Sequence, residues 1–329
     1  MAYTDFPNGV TSFGVPMVGG IGGIPLTGNW YFCDYANGSD GNEGTADNPF
    51  KTISYAHTKA VAGNNDVVVI VGDGSTTATQ RLTETLTWSK NATHLIGMTA
   101  PSLEAQRARI SHETTEDTNF LMMTVSASGC IFANFSFFQG VGEASTDEKL
   151  IDVTGSRNCF SNVQFGGMGN SVGAGRAGSY VIYINGGGEN LFSHCSVGLE
   201  TVQRSAANAS VVIASGAQRN TFEDCIFPIA ASATSPLYLD ASASNALNGS
   251  SMRFRRCSFY ALLNISSAAT PAVVASVASD VNGTVFFDGC STSATKWAAA
   301  ATTVQVGSAG TTNVADGFDA GKFDQARDS

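Results

Sequence analysis

Six short segments share one pattern of apolar and polar positions. They begin at Phe132 (FANFSF), Phe160 (FSNVQF), Phe192 (FSHCSV), Phe222 (FEDCIF), Phe254 (FRRCSF) and Phe287 (FDGCST), with anchors 28, 32, 30, 32 and 33 residues apart. Three residues past each anchor stand Phe135, Val163, Cys195, Cys225, Cys257 and Cys290. Five past stand Phe137, Phe165, Val197, Phe227, Phe259 and, as an exception, Thr292. A second apolar segment precedes every anchor after the first, at 150–153, 181–184, 211–213, 237–239 and 273–277. Apolar columns that return every few tens of residues mark a solenoid. Two or three short strands per repeat, without helical periodicity, describe one coil of a right-handed parallel β-helix. Its coils stack at about 4.8 Å, so equivalent residues become ladders along the axis.

Polar columns accompany the apolar ones. Asn134, Asn162, His194, Asp224, Arg256 and Gly289 lie two residues past the anchors. Asn, Asp and Gly tolerate the left-handed conformation, so this column is placed in a two-residue turn. Asn158, Asn190 and Asn220, two before the anchors, form another column, read as coil-to-coil hydrogen bonding. Upstream, DVVVIVGDG (66–74) and THLIGM (93–98) read as early, less regular strands, and RLTETLTWS (81–89) alternates like a strand. KTISYAHTKAVA (51–62) is predicted to be a short helix capping the open end of the solenoid, because an uncovered terminal coil is an exposed sheet edge. The division predicted is an extended Gly/Pro-rich arm over 1–29, an all-β parallel β-helix with its cap over 30–306, and a C-terminal cap or tail over 307–329.

Composition narrows the function. Charged residues are 13% of the 329, and the net charge is −10. No cluster of Lys and Arg suited to phosphates is present, so nucleic acid is not expected as a partner. Residues 6–33 carry no charge, but Gly and Pro interrupt them, and no stretch approaches the roughly 20 apolar residues of a membrane span. The first basic residue is Lys51, so no secretory signal is read and synthesis in the cytoplasm is expected. The segment FPNGVTSFGVPMVGGIGGIPLTG (6–28) cannot form a core of its own; its composition fits a disordered start or an arm laid on a partner surface, and the arm is the reading adopted.

Candidate chemistry is sparse. The seven cysteines include no CxxC pair, and the aligned Cys195, Cys225, Cys257 and Cys290 read as a buried, reduced, metal-free row. The loop carrying Asp34, Asn37, Asp40, Asn42, Glu43 and Asp47 has cation-friendly oxygens. Counted from Asp40, however, the twelfth position of a calcium loop is Lys51, so a turn network is expected instead. Glu223 and Asp224 are neighbours expected to point apart, with Asp224 stacked between His194 and Arg256. Glu189, Asp240 and Asp288 read as isolated, and Glu113, Glu116 and Asp117 lie in an irregular segment. No catalytic, cofactor-binding or metal residue is assigned.

The stretch YFCDYANGSDGNEGTADNPFKTISYA (31–56) resembles the opening of many right-handed β-helix proteins, where an Asn-Gly-Ser-Asp loop, a Gly-Thr turn and Pro-Phe-x-Thr-Ile lead into the first coil. Pectate-lyase-like enzymes, tailspikes and non-catalytic virion proteins share that fold. The opening MAYTDFPNGVTSFGVPMVGG is similar to the start of tailed-bacteriophage virion proteins, in which a short arm binds the particle and a β-helix projects. The resemblance implies a non-enzymatic virion component, a capsid decoration or cement protein. It would act as a homotrimer, with its arm on the major capsid protein or another virion protein. The alternative is a tailspike or receptor-binding protein that binds or cleaves host polysaccharide. Such a protein should show aromatics along one flank, for which Tyr180, Tyr183, Tyr238, Tyr260 and Trp297 are the candidates. A free polysaccharide lyase is disfavoured by the missing secretion signal.

Overall fold

The structure is a computed structural model that describes residues 28–72, 78–113, 121–142, 147–262, 268–278, 281–298 and 304–307, with the backbone of Thr11–Ser12 and Val15–Pro16. Most of the arm and the segment 308–329 therefore lie outside the described residues. The chain winds as a right-handed parallel β-helix, as the repeat predicts. Its strands form three parallel sheets of ten, nine and eight strands among the described residues. Sheet I carries the anchors and runs from Trp30–Cys33 through Val67–Val71 to Val304–Gly307. Sheet II holds the strands after the anchor turn, from Gln80–Leu82 to Ser291–Thr292. Sheet III holds the apolar segments that precede the next anchor, from Leu86–Trp88 to Lys296–Ala298.

The anchors pair in register from coil to coil. Because side chains alternate across a strand, one in-register column faces the interior along its whole length. Phe132, Phe160, Phe192, Phe222, Phe254 and Phe287 stack with successive ring centroids 4.7, 4.6, 4.3, 5.0 and 5.0 Å apart. Trp88 meets Phe132 edge-on at 5.7 Å at one end, and Trp297 packs on Phe287 at 4.9 Å at the other. The Cys column is buried beside it, from 0% exposed at Cys195 to 4% at Cys290. Each aromatic ring sequestered in this way contributes roughly 1.5–3 kcal/mol of transfer free energy.

The short helix exists but is trimmed to Ile53–Lys59. Asp40 explains the late start: its Oδ1 accepts the backbone N–H of Lys51 and of Thr52 at 3.0 and 2.9 Å, which holds both outside the helix. Thr52 then caps it, accepting the Tyr55 N–H at 3.2 Å. Ile53 and Ala56 enter the core, and His57 stacks on Trp88 at 4.1 Å, so the helix closes the first coil as predicted. The segment 81–89 is a correction. It forms not one strand but two, Gln80–Leu82 in sheet II and Leu86–Trp88 in sheet III. Alternation alone cannot reveal a corner between two strands that both bury every second residue.

The corners differ in length. Sheet I passes to sheet II through two residues in six coils, at 134–135, 162–163, 194–195, 224–225, 256–257 and 289–290. Sheet II passes to sheet III through anything from three residues (83–85) to thirteen (167–179). The corner from sheet III to sheet I holds the Asn column, which is a hydrogen-bonded ladder. The N–H groups of Cys130, Asn158 and Asn190 donate to Oδ1 of Asn158, Asn190 and Asn220, each at 2.9 Å. The amide groups donate in turn to the carbonyls of Ala127, Gly155 and Gly187 at 2.9, 3.1 and 2.9 Å. All three asparagines are buried, so the ladder satisfies backbone groups that water cannot reach.

Candidate functional site

The predicted turn column is left-handed throughout. Asn134, Asn162, His194, Asp224, Arg256 and Gly289 have φ of 59, 52, 54, 54, 51 and 62°. Asp224 lies between His194 (Nε2 to Oδ2, 3.9 Å) and Arg256 (Nε to Oδ1, 2.7 Å), as expected. Glu223 does not point away from it. Arg256 Nη2 donates to Glu223 Oε1 at 2.5 Å and to Asp224 Oδ2 at 2.8 Å, so one guanidinium draws both carboxylates together. The hydrogen bond from Arg256 holds the Asp224 carboxyl below its ordinary range. Arg255 also reaches Glu223 at 3.2 Å and Asp288 at 3.9 Å. Glu189 is not isolated either, since Arg157 and Arg219 flank it at 2.7 and 2.6 Å. Pairs this exposed are worth about 0–1 kcal/mol each, but they commit the carboxylates to guanidinium partners.

The other predicted clusters resolve as local structure. Asp34 Oδ1 accepts the N–H of Ala36 and Asn37 at 2.9 and 3.1 Å, and Asp40 serves the helix start, which is the turn network expected. No group of three or more metal-ligating side chains exists among the described residues. The described cysteines are free, and burial raises the Cys225 thiol well above its ordinary value. Asp240 accepts the Ser242 N–H at 2.9 Å. Glu113 receives a long contact from the Tyr35 hydroxyl at 3.4 Å, while Glu116 and Asp117 lie outside the described residues. No helix among the described residues is long and apolar enough to cross a membrane. Tyr238 and Trp297, candidates for an aromatic flank, point inward at 0 and 1% exposure. Both stand in positions that alternation places inside, next to Phe259.

Two places on the outer surface gather chemistry that the repeat did not reveal. On sheet II, the segment 99–108 folds across later coils. Ala105 N–H donates to Gln164 Oε1 at 2.7 Å, and Ser196 Oγ donates to Glu104 Oε1 at 2.8 Å across 92 residues of sequence. Together with 199–201 this strap borders a groove of about 270 Å³ lined by Glu104, Arg109, Phe138, Gln164 and Glu200, among others. Burial and the nearby Arg107 and Arg81 lower the Arg109 guanidinium. Phe138 is 39% exposed and supplies an apolar wall. Burial, with Glu104 and Glu200 nearby, pushes the half-buried Tyr260 hydroxyl up to about 12.

On sheet III, Tyr180 and Tyr183 stack at 5.1 Å, and the Tyr180 hydroxyl donates to Asp152 Oδ1 at 2.5 Å. The Lys149 ammonium lies 5.8 Å from the Tyr180 ring centroid. Burial raises Asp152 and, more strongly, Tyr180. Beneath the one-turn helix Ser171–Ala174, Glu148 is buried, and burial pushes its carboxyl up to about 8. Its Oε1 accepts the Gly169 N–H at 2.8 Å. Of the sequence-stated candidates, only Tyr180 and Tyr183 meet here. Asp152, Lys149, Glu104 and Arg109 carried no repeat signal.

No family model matches this sequence, and no curated protein does. Solved structures do resemble the fold. Pectate lyase Pel9A aligns with a TM-score of 0.54 and 14% identity over 82% of this chain and 70% of its own. The pectin methylesterase from Aspergillus niger aligns at 0.52 and 12%, covering 87% of this chain and 82% of its own. A rhamnogalacturonan lyase aligns at 0.50 and 14%, covering 80% and 68%. At such identities the likeness is one of fold.

Proposed function

We propose that this chain is a non-enzymatic structural component of a bacteriophage virion, of the capsid decoration or cement kind. The N-terminal arm fastens it to the major capsid protein or another virion protein, and the solenoid projects or bridges. On this reading it works as a homotrimer on the particle and is assembled in the host cytoplasm. The observation that carries it is the disposition of the outer carboxylates. Glu189, Glu223, Asp224 and Asp288 are all within ion-pair reach of guanidinium groups, and Glu223 and Asp224 share Arg256. Carboxylates held in this way are spent on stacking coils and are poor proton donors or nucleophiles. The similarity of residues 1–20 to virion openings supports the same reading. The test is co-sedimentation with undecorated capsids. The intact protein should bind, and a form lacking residues 1–29 should stay folded and soluble but remain in the supernatant. Undiminished binding after truncation refutes the anchoring role.

A second reading, a tailspike or receptor-binding protein acting on polysaccharide, has one observation in its favour. Glu104 and Glu200 line the same groove as Arg109 and Phe138. The solved structures of similar fold include enzymes named for pectin and pectate. Release of oligosaccharides from host polysaccharide by the intact protein, abolished in Glu104→Gln or Glu200→Gln, would replace the first reading by the second.

A further inference from the structure

Sheet I has two faces, and at its N-terminal end both are apolar. The inward face carries Val68, Ile70, Leu95 and Phe132. The outward face carries two in-register columns: Trp30, Val67 and His94, with Ile131 continuing the line, and Phe32, Val69, Ile96 and Ala133. Further along the same face the second column becomes Ser161, Ser193, Glu223, Arg255 and Asp288, and the first becomes the mixed series Cys159, Leu191, Thr221, Arg253 and Phe286. A parallel sheet that is apolar on both faces needs a cover on both, and only in the first four strands are both outward columns predominantly apolar.

These outward residues are also covered. In a single chain Val67 is 0% exposed, Val69 2%, Ala133 1% and Ile131 8%. The partly buried apolar side chains packed on this cluster are Trp30, Phe32 and Ile96, which belong to the same face. Neighbours in the plane of a sheet cannot close its surface from above, so something must lie over it. That cover belongs to the same chain, because the burial is reached with one copy.

Chain continuity identifies it. Gly28 enters against the backbone of Asn65 and Asp66, where an added Cβ would sit 2.4 Å from Asn65 C. The buried Asp66 fixes the entry: its Oδ1 accepts the Asn29 N–H at 2.7 Å, and its Oδ2 the Val61 N–H at 2.8 Å. The chain thus arrives at the rim of the apolar face, at Trp30, directly after 6–27. That stretch carries Phe6, Val10, Phe13, Val15, Met17, Val18, Ile21, Ile24 and Leu26 between glycines and prolines, with no charge. Its reach, about 3.3 Å per residue, far exceeds the roughly 15 Å that four strands span.

We propose that the outward apolar face formed by Trp30, Phe32, Val67, Val69, Ile96 and Ile131 is a docking surface for an extended apolar segment, and that in the free protein residues 6–27 of the same chain occupy it. The proposal is independent of where the particle holds the chain. If the arm fastens the protein to a capsid, it must leave this seat or present its other side.

The experiment uses tryptophan emission. Trp88 and Trp297 are buried in the core and Trp30 lies on the docking face. Removal of residues 1–27 should therefore red-shift emission and raise acrylamide quenching. Trp30→Phe should abolish both changes, and a peptide of residues 1–27 added in excess should reverse them. In the full-length protein, a photo-crosslinking amino acid at position 69 should join to residues 6–27 within one copy, and this arm does not depend on the truncated form folding. Unchanged emission in a folded truncation, or crosslinks to a second copy or to other segments, would overturn the proposal. Capsid co-sedimentation can succeed or fail separately, so the two ideas are distinguishable.

Discussion

Replacing Asn190 by Ala should destabilise the solenoid by roughly 2–5 kcal/mol, with almost no change in shape. Asn190 is fully enclosed, with Asn158 on one side and Asn220 on the other. Its Oδ1 accepts the Asn158 N–H at 2.9 Å, and its Nδ2 donates to Gly155 O at 3.1 Å and to Asn220 Oδ1 at 3.0 Å. Alanine removes the acceptor, so the Asn158 N–H loses its side-chain partner in a place without water. An unsatisfied buried donor costs about 1–3 kcal/mol, and the Gly155 carbonyl, deprived of its donor, adds a similar or smaller amount. Asn220 Oδ1 keeps the Asn190 N–H at 2.9 Å and contributes little. Urea unfolding followed by circular dichroism supplies the measurement, with Ser215→Ala on the exposed corner of the next coil as a control expected within about 0.5 kcal/mol of the parent. Asn190→Asp should not rescue, because a carboxylate accepts but cannot donate and must be buried charged. A loss below about 1 kcal/mol in Asn190→Ala, or full recovery with Asp, would refute the view that these amides hold otherwise unpaired backbone.

Three further outcomes are expected. Phe222→Ala, which removes a ring held between Phe192 and Phe254, should cost roughly 3–5 kcal/mol through its cavity, again by urea unfolding. Burial lowers His57 and His94 to about 4 from 6.5, so the unfolded chain binds more protons between those values and stability should fall as pH drops from about 6.5 to 4. His94→Gln should flatten part of that slope in denaturation series across this range, and an unchanged slope would refute the assignment. Glu148 behaves oppositely. Burial raises it to about 8 from 4.5, so the folded chain holds a proton the unfolded chain has lost, and stability should decline as pH rises from 4.5 to 8. Glu148→Gln should remove that decline and be more stable than the parent at pH 8.

The architecture was legible because the solenoid repeats its chemistry at fixed register. The Phe anchors recur at positions that the strands pair directly, and the left-handed and Cys columns recur in the corners that follow them, so spacing located interior and turn. The outer surface did not repeat, and there the reading thinned. The sheet II groove joins Glu104 to Ser196 over 92 residues, a contact that no local pattern encodes. Glu223 and Asp224, neighbours at one turn, are expected from the sequence to point apart. Arg256 of the next coil instead draws both carboxylates onto one guanidinium, a contact between coils that adjacency in sequence does not encode. Tyr238 and Trp297 are candidates for a surface flank by residue type alone, whereas the register puts both in one inward column with Leu150, Val181, Ser210 and Val274.

The unequal corners have a consequence for how such a chain can change. A two-residue corner whose first residue is left-handed leaves no slack: one added residue there would shift the register of every coil beyond it. The corner between sheets II and III already tolerates lengths from three to thirteen residues without disturbing the ladders on either side. Added length is therefore carried mainly along that one edge of the rod, the exceptions at the sheet I to sheet II corner being 72–79 and 99–108 in the first two coils. Foreign peptides grafted at 232–236 or 293–295, where the links are short, should be accepted with the fold intact. Lineages descended from a common ancestor should differ in length most along that edge and least at the six two-residue corners.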